Sequence, residues 1–169
     1  YTIGHSRRVS SLSMSIALQL DPGYDILTLG AAATFHDLGK YYTPIEILQK
    51  PGRLTPEEFS IIKLHPQASW QLLMESHGEI IAEIALQHHE RMDGSGYPRG
   101  LHADAIRMDA RIIAVADVFD AITSKRSYNN PVSYEQALSI MEQEQQLYDS
   151  DVLHALHILV REKRLSISI

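Results

Sequence analysis

The stretch 36–40 places an imidazole and a carboxylate side by side directly after an apolar segment. His36 and Asp37 follow residues 31–35, of which only Thr34 is polar. A buried imidazole or carboxylate without a partner costs several kcal/mol, which is comparable to the net stability of a domain. The fold must therefore give these two residues partners. The partner could be a hydrogen-bonded ion pair or a metal ion, and the other residues of the chain indicate which of the two is present.

Apolar residues recur at helical spacing along the chain, and no segment shows the alternation of a strand. Val9, Leu12 and Ile16 mark a first helix, and Ile26 and Leu29 mark a second. Further helices are predicted from Thr55 towards His65, from Pro66 to about His77, from Glu79 to His88, and over about 109–124, 133–144 and 150–161. The predicted class is all-α, and 169 residues fit a single domain spanning 1–169.

Composition limits the classes of function. With 44% hydrophobic and 21% charged residues, and no apolar run near the roughly 20 residues of a membrane span, the chain is predicted to be soluble. A net charge of −6 argues against binding a nucleic acid polymer, because such binding depends on neutralising phosphates. The chain contains no cysteine, so any metal must be bound by histidine nitrogens and carboxylate oxygens.

Seven polar residues lie on, or at the ends of, the apolar helix stripes. They are His5, His36, Asp37, His65, His88, His89 and Asp117. A single histidine of this kind is more often a hydrogen-bonded core residue or a surface residue than a ligand. Seven such residues each need a partner, and a metal centre satisfies all of them together. Five imidazoles and two carboxylates favour iron, manganese, nickel or zinc over calcium or magnesium, and seven ligands exceed one tetrahedral site, which suggests two metals.

The order and spacing of these motifs resemble an HD-GYP domain over about residues 1–128. The matching motifs are His5-Ser6-Arg7-Arg8-Val9, His36-Asp37-Leu38-Gly39-Lys40, Pro44, Ile47-Leu48, Lys50-Pro51-Gly52, His65-Pro66, His88-His89-Glu90-Arg91, Asp93-Gly94-Ser95-Gly96-Tyr97-Pro98 and Ala114-Val115-Ala116-Asp117. The resemblance implies an HD-domain helical bundle with a GYP loop and additional C-terminal helices. It also implies a phosphodiesterase that opens cyclic di-GMP to linear pGpG and sometimes continues to GMP.

The resemblance assigns the seven residues to two metal ions. One ion would take His5, His36, Asp37 and Asp117, and the other would take His65, His88 and His89, with Asp37 bridging both. Some family members bind a third metal through a glutamate at the position of Tyr1, so two divalent ions are expected here. Iron and manganese are favoured, with nickel and zinc as alternatives.

The resemblance also implies catalytic and substrate-binding roles. A hydroxide that bridges the two metals is the expected nucleophile, with Asp37 as its bridging carboxylate. Lys40, one helical turn beyond His36, is expected to stabilise the phosphate charge. Arg91 and Arg126 are expected to bind substrate. The plain alternatives remain open, because Lys40 also suits a helix C-terminus and Arg126 also suits a solvated position after a helix.

The loop Gly96-Tyr97-Pro98 has two interpretations as well. Glycine and proline are what any tight connection uses, whereas in the family this loop shapes the site and contacts GGDEF-domain proteins. The resemblance further implies a cytoplasmic signalling protein. Because the chain begins at Tyr1 without a methionine, we expect it to be the C-terminal part of a longer protein with an upstream receiver or sensor domain.

One departure from the family affects the expected substrate. Asn129 stands where the family usually has a basic residue, which weakens the expected grip on the second phosphate of a cyclic dinucleotide. Cyclic GMP-AMP is therefore an alternative substrate. Two further hypotheses stay open: an HD-type hydrolase of other nucleotides, and a catalytically silent module that binds a cyclic dinucleotide or a GGDEF protein.

Overall fold

The protein is an assembly of helices, and the computed structural model describes residues 3–124 and 132–165. The α-helices are α1 (Ile3–Leu20), α2 (Ile26–Phe35), α3 (Ile45–Leu48), α4 (Pro56–Ile62), α5 (His65–His77), α6 (Glu79–Gln87), α7 (Met108–Thr123), α8 (Tyr134–Gln143) and α9 (Ser150–Arg161). Short 3₁₀ turns lie at Leu38–Tyr42, Ala103–Ala105 and Gln145–Leu147. Within those two ranges there is no strand, so the predicted all-α class is confirmed.

Local sequence sets several helix starts as predicted. Thr55 accepts a hydrogen bond from the backbone of Glu58, and the Glu58 side chain reaches back to Thr55, which completes a capping box at α4. Ser133 and Gln136 form the same reciprocal pair at α8. Asp149 caps α9 by accepting from two backbone N–H groups. These caps satisfy backbone donors that have no partner inside the helix.

The core is built around α7, which packs against α1, α6, α8 and α9. Eight residues of α7 are buried, including Ile112, Ile113 and Phe119. A smaller apolar cluster joins α5 to α6 through Leu73, Ala82 and Ala85. The α5–α6 hairpin in turn packs on α2 and on the 3₁₀ turn that follows it. The ends of α2 and α6, the start of α5, and parts of α1 and α7 consequently meet at one place.

The helix α2 ends sooner than its apolar stripe suggests. The stripe continues to Asp37, but the α-helix stops at Phe35 and the chain tightens into the 3₁₀ turn. Gly39 shows why. Its amide donates to Ser69 Oγ at 2.8 Å, and a Cβ at this position would lie 2.5 Å from the Ser69 nitrogen. Only a glycine lets the turn approach the backbone of α5 this closely.

Among the helices of the described residues, none has the length and hydropathy needed to cross a bilayer.

Candidate metal centre

The structure brings all seven sequence-predicted ligands together. His5 comes from α1, His36 and Asp37 follow α2, His65 opens α5, His88 and His89 follow α6, and Asp117 lies in α7. Their donor atoms form three overlapping groups, each within 4.8 Å: Asp37 with His65, His88 and His89; Asp37 with His5 and His36; and Asp117 with His36 and His88. Asp37 belongs to the first two groups and so links His5 and His36 to His65, His88 and His89.

Three of the histidines share one orientation. Each Nδ1 lies 2.6 Å from the carbonyl oxygen three residues earlier, with His36 paired to Ala33, His65 to Ile62 and His88 to Ala85. A carbonyl oxygen only accepts, so each Nδ1 donates and carries the proton. The Nε2 atom of each ring then faces the Asp37 carboxylate. Fixing the tautomer through the second nitrogen is how proteins orient metal-binding imidazoles.

The imidazole half of the site consists of His65, His88 and His89. The Nε2 atom of His65 lies 3.3 Å from Nε2 of His88 and 3.2 Å from Nε2 of His89. The same atom lies 3.1 Å from Oδ1 of Asp37, and Nε2 of His88 lies 3.7 Å from that oxygen. Several lone pairs thus converge on one point beside a carboxylate.

The carboxylate half consists of His5, Asp117 and Asp120. His5 Nε2 lies 3.2 Å from Oδ1 of Asp117, and His5 Nδ1 lies 2.7 Å from Oδ2 of Asp120. Asp120 is itself 1% exposed and is held by Arg8, whose Nε donates to Oδ1 at 2.6 Å. The acid-rich surroundings fix the His5 ring from the side away from the centre.

The two halves shift histidine pKa values in opposite directions. Burial alone would lower the pKa of His5, but its bonds to Asp117 and Asp120 outweigh burial and raise the pKa to about 9. Burial lowers the pKa of His88 to about 4, although Asp37 opposes the change. The pKa of His89 also falls, because that ring is buried beside His88. His88 and His89 are therefore neutral at pH 7 and have lone pairs to offer.

The residues fit a bound divalent metal ion. Among the described residues, Nε2 of His36 and Oδ1 of Asp37 are buried and complete no hydrogen bond. Such atoms cost free energy unless something binds them. Neutral imidazole Nε2 atoms facing one another and a carboxylate are satisfied together by a cation, and the nitrogen and oxygen donor set suits a first-row metal.

The predicted substrate-binding residues have different surroundings. Lys40 Nζ donates to Oδ2 of Asp37 at 2.6 Å, so a cation sits against the central carboxylate. Arg91 donates to the carbonyl oxygens of His88 and Glu90 at 3.3 and 2.9 Å, and its guanidinium lies 6.0 Å from the centre of the Tyr148 ring. These contacts tie Arg91 to the turn that carries the histidine pair. The predictions for Arg126 and Asn129 lie outside the described residues.

The GYP loop holds His89 in place. The Tyr97 ring stacks on the His89 ring with 4.7 Å between centroids, and the Tyr97 amide donates to the His89 carbonyl at 3.2 Å. Gly96 packs against this turn so closely that a Cβ would lie 2.5 Å from the Arg91 nitrogen. The loop ends in a cis peptide bond before Pro98. These contacts give the loop a role in shaping the site.

Sequence reasoning missed three residues that support the centre. Asp120 and Arg8 fix His5, as described above. Glu90 is 2% exposed and accepts from the backbone amides of Arg99 and Leu101 at 2.8 and 2.9 Å, which anchors the far side of the GYP loop. Asp120 had a signal in the sequence, because it lies three residues after Asp117 and therefore on the same helix face. Glu90 and Arg8 had a weaker signal, since each falls inside a motif of the HD-GYP resemblance without a role assigned to it.

Comparisons with known proteins agree with this architecture. A family model for the HD domain matches residues 1–152. A cyclic di-GMP phosphodiesterase of Thermotoga maritima is 45% identical over 163 residues, covering 94% of this chain and 44% of the relative. The cyclic di-GMP phosphodiesterase response regulator RpfG of Xanthomonas campestris is 42% identical, covering 88% and 41%. A 3'3'-cGAMP-specific phosphodiesterase of Vibrio cholerae is 41% identical, covering 85% and 34%. The chain thus spans less than half the length of these relatives.

Solved structures give the same fold. An HDG"Y"P protein from Bdellovibrio bacteriovorus superposes with a TM-score of 0.76 at 23% identity, covering 95% of this chain and 53% of that one. The HD domain of the Listeria monocytogenes phosphodiesterase PgpH, in complex with cyclic di-AMP, gives a TM-score of 0.69 at 20% identity, covering 97% and 90%. At 23% and 20% sequence identity, these similarities show that the fold is shared.

Proposed function

The chain belongs to the HD domain family, and we propose that it is a metal-dependent phosphodiesterase that hydrolyses cyclic di-GMP to linear pGpG, with further hydrolysis to GMP as a second step. The observation that carries the proposal is the grouping of five histidines around the Asp37 carboxylate, with Asp117 beside His36 and His88. The names of three relatives between 41% and 45% identical support a cyclic dinucleotide as substrate.

The ligands would divide between two divalent ions. His5, His36 and Asp117 would hold one, and His65, His88 and His89 would hold the other, with Asp37 between them. Iron or manganese is proposed first for this nitrogen-rich set, with nickel or zinc as alternatives. When bound, such a pair supplies an activated water at neutral pH and neutralises phosphate charge.

The protein residues supply position and charge. The carbonyl oxygens of Ala33, Ile62 and Ala85 accept hydrogen bonds from Nδ1 of three imidazoles and so orient each Nε2 for metal binding. Lys40, at 2.6 Å from Asp37, places its ammonium group at the centre, where it would bind a non-bridging phosphate oxygen. Most of the proposed ligands are buried, and the low dielectric around them strengthens these interactions. Arg126 is proposed as a second phosphate-binding residue.

Cyclic GMP-AMP is the second candidate substrate. It presents the same diester, and a relative 41% identical is a phosphodiesterase specific for it. Incubating metal-reconstituted protein with cyclic di-GMP, cyclic GMP-AMP and cyclic di-AMP, and separating the products, tests the proposal. Linear pGpG from cyclic di-GMP is the expected product. Release of phosphate from mononucleotides alone would favour another nucleotide hydrolase, and binding without turnover would favour a catalytically silent module.

The cellular setting is proposed on the same basis. The segment 1–169 would be one HD-GYP domain in a longer cytoplasmic signalling protein, joined to an upstream receiver or sensor domain. The Gly96-Tyr97-Pro98 loop would contact GGDEF-domain proteins as well as shape the site. Analytical pull-down of a purified GGDEF domain by the wild type and by a Tyr97→Ala variant tests the second point.

A further inference from the structure

A cleft of about 830 Å³ opens beside the metal centre, between α1 and the turn that follows α2. Asp37 and Lys40 belong to both the cleft lining and the metal centre. Its walls are mainly apolar and come from Met14, Phe35, Ile45 and Leu48. This volume is within the range of small-molecule sites, which combine apolar walls with a few polar groups. The cleft therefore continues the centre into a space where part of a bound substrate would lie.

Arg7 is the charged group on the α1 side of the cleft. It is exposed, and within residues 3–124 and 132–165 it forms no ion pair and no hydrogen bond. Its neighbour Arg8 differs, because Asp120 binds that guanidinium. Ser10, Ser11 and Met14 follow Arg7 at helical spacing and also line the cleft, so Arg7 lies on the face of α1 that borders the cleft.

Tyr41 is an exposed aromatic residue of the cleft and lies on the 3₁₀ turn that follows α2. It follows Lys40 directly, lines the cleft and is 85% exposed. The Tyr41 and Tyr42 rings lie 5.6 Å apart at 83°, and this contact leaves most of the Tyr41 side chain open to a bound ligand. An exposed aromatic ring beside a cation and an apolar pocket is the arrangement that binds the flat face of a nucleobase.

We propose that this cleft is the base subsite of the enzyme and that Arg7 selects guanine there. The inference rests on the proposed function, which supplies a dinucleotide whose phosphate lies at Asp37 and Lys40. A guanidinium has only donors, and guanine offers two acceptors, O6 and N7, at one edge. Adenine offers N7 beside an amino group that also donates. Arg7 therefore pairs twice with guanine and once with adenine, while Tyr41 contacts the ring face.

Calorimetric titration of the metal-loaded protein with GMP and with AMP tests the assignment. The wild type is expected to bind GMP about tenfold more tightly than AMP, since a good bidentate pair discriminates by about 1–3 kcal/mol. Arg7→Ala is expected to bring the two affinities within about twofold. Arg7→Lys should behave like Arg7→Ala, because an ammonium group keeps the charge but loses the fork. Arg161→Ala, which removes an exposed arginine on α9 outside the cleft, is the matched control.

Several outcomes would overturn the proposal. The first is equal affinity of the wild type for GMP and AMP, and the second is an unchanged preference for GMP in Arg7→Ala. The third is a full preference for GMP in Arg7→Lys, which would show that Arg7 contributes only its charge. Turnover separates this failure from failure of the proposed function. Hydrolysis of cyclic di-GMP and of bis(p-nitrophenyl) phosphate by a protein without base preference removes only the guanine subsite, whereas no diester hydrolysis at all removes the proposed function.

Discussion

The two halves of the metal centre use the same residue type in opposite ways. His5 and His88 are both buried imidazoles, and burial lowers the pKa of each. In the carboxylate half, Asp117 and Asp120 more than compensate, and His5 has a pKa raised to about 9. In the imidazole half, the neighbours are mainly other histidines, and His88 has a pKa lowered to about 4. Neighbouring charge therefore decides what a buried histidine does.

The difference extends to the groups that orient the rings. Backbone carbonyl oxygens hold Nδ1 of His65 and His88, and a side-chain carboxylate, that of Asp120, holds Nδ1 of His5. A side-chain substitution at Asp120 can therefore remove the hydrogen bond that orients His5 while all seven candidate ligands stay in place. The bonds that orient His65 and His88 come from the backbone, so no side-chain substitution removes them directly. Asp37 is the element common to both halves.

The largest effect is expected from Asp37→Ala. This change removes the carboxylate that both halves share, so diester hydrolysis should fall on the order of a thousandfold. Steady-state kinetics with cyclic di-GMP measures the loss. Asp104→Ala is the matched control, since its side chain is fully exposed, and it should keep wild-type activity. An Asp37→Ala variant that retains turnover would show that this carboxylate is not central.

Asp120→Asn should weaken only the carboxylate half. It leaves every ligand in place but removes the charge that orients His5, and loss of such supporting groups lowers metal affinity by about 10–100-fold. Stepwise metal titration should show one weakened site and one unchanged site. Equal weakening of both sites, or none, would mean that the halves are not independent in this way.

Gly39→Ala should destabilise the contact that brings the halves together. The new Cβ would overlap the His65 carbonyl oxygen and lie 2.5 Å from the Ser69 nitrogen, and backbone cannot move aside cheaply. Overpacking of this kind lowers the free energy of unfolding by about 1–3 kcal/mol, measured by urea titration. Gly23→Ala is the control, because its Cβ would meet only Asp21 Oδ1 at 3.4 Å. A Gly39→Ala protein as stable as Gly23→Ala would refute the close approach.

The smallest effect is expected in the pH dependence of stability of the metal-free protein. The ordinary pKa of both histidines is 6.5. Because the folded pKa of His5 is raised, its contribution is complete below pH 6.5 and is lost as pH rises towards 9. Because the folded pKa of His88 is lowered, its contribution is complete above pH 6.5 and is lost as pH falls towards 4.

Thermal unfolding with a chelator, scanned in pH, checks this prediction. His5 and His88 both contribute to the free energy of unfolding near neutral pH. Tm should therefore decline as pH rises towards 9 and as pH falls towards 4. Asp120→Asn should reduce the alkaline decline and keep the acid decline, since Asp120 raises the pKa of His5 and is not among the groups that shift the pKa of His88. If Asp120→Asn reduced the acid-side decline of Tm as much as the alkaline-side decline, the two halves would not be separate.

Much of this arrangement could be predicted from the sequence. Helical periodicity indicated the class, and the helices predicted from Thr55 and from about 133 begin there, because capping depends on a few adjacent residues. The seven ligands stood out because polar residues on apolar stripes need partners, and the structure brings all seven together. The HD-GYP resemblance is confirmed by the matching HD domain model and by the relatives.

Other features depended on tertiary contacts that no local pattern records. The stripe of α2 predicts continued helix, but the approach of Gly39 to α5 converts the chain to a 3₁₀ turn. The opposite pKa values of His5 and His88 arise from residues more than 50 positions away or from other helices. Arg91 was predicted to bind substrate, yet its described contacts are with the His88 and Glu90 carbonyl oxygens, so that role stays a prediction.

Counting the metal ions bound to the purified protein is the most direct test of the proposed two-metal centre. Elemental analysis of the wild type, after reconstitution with manganese or iron and removal of free metal, is predicted to give two ions per chain. Asp37→Ala analysed in parallel is predicted to give fewer than one. A wild-type count of zero would contradict the metal centre itself, and a count of one would contradict the division of the seven ligands between two ions.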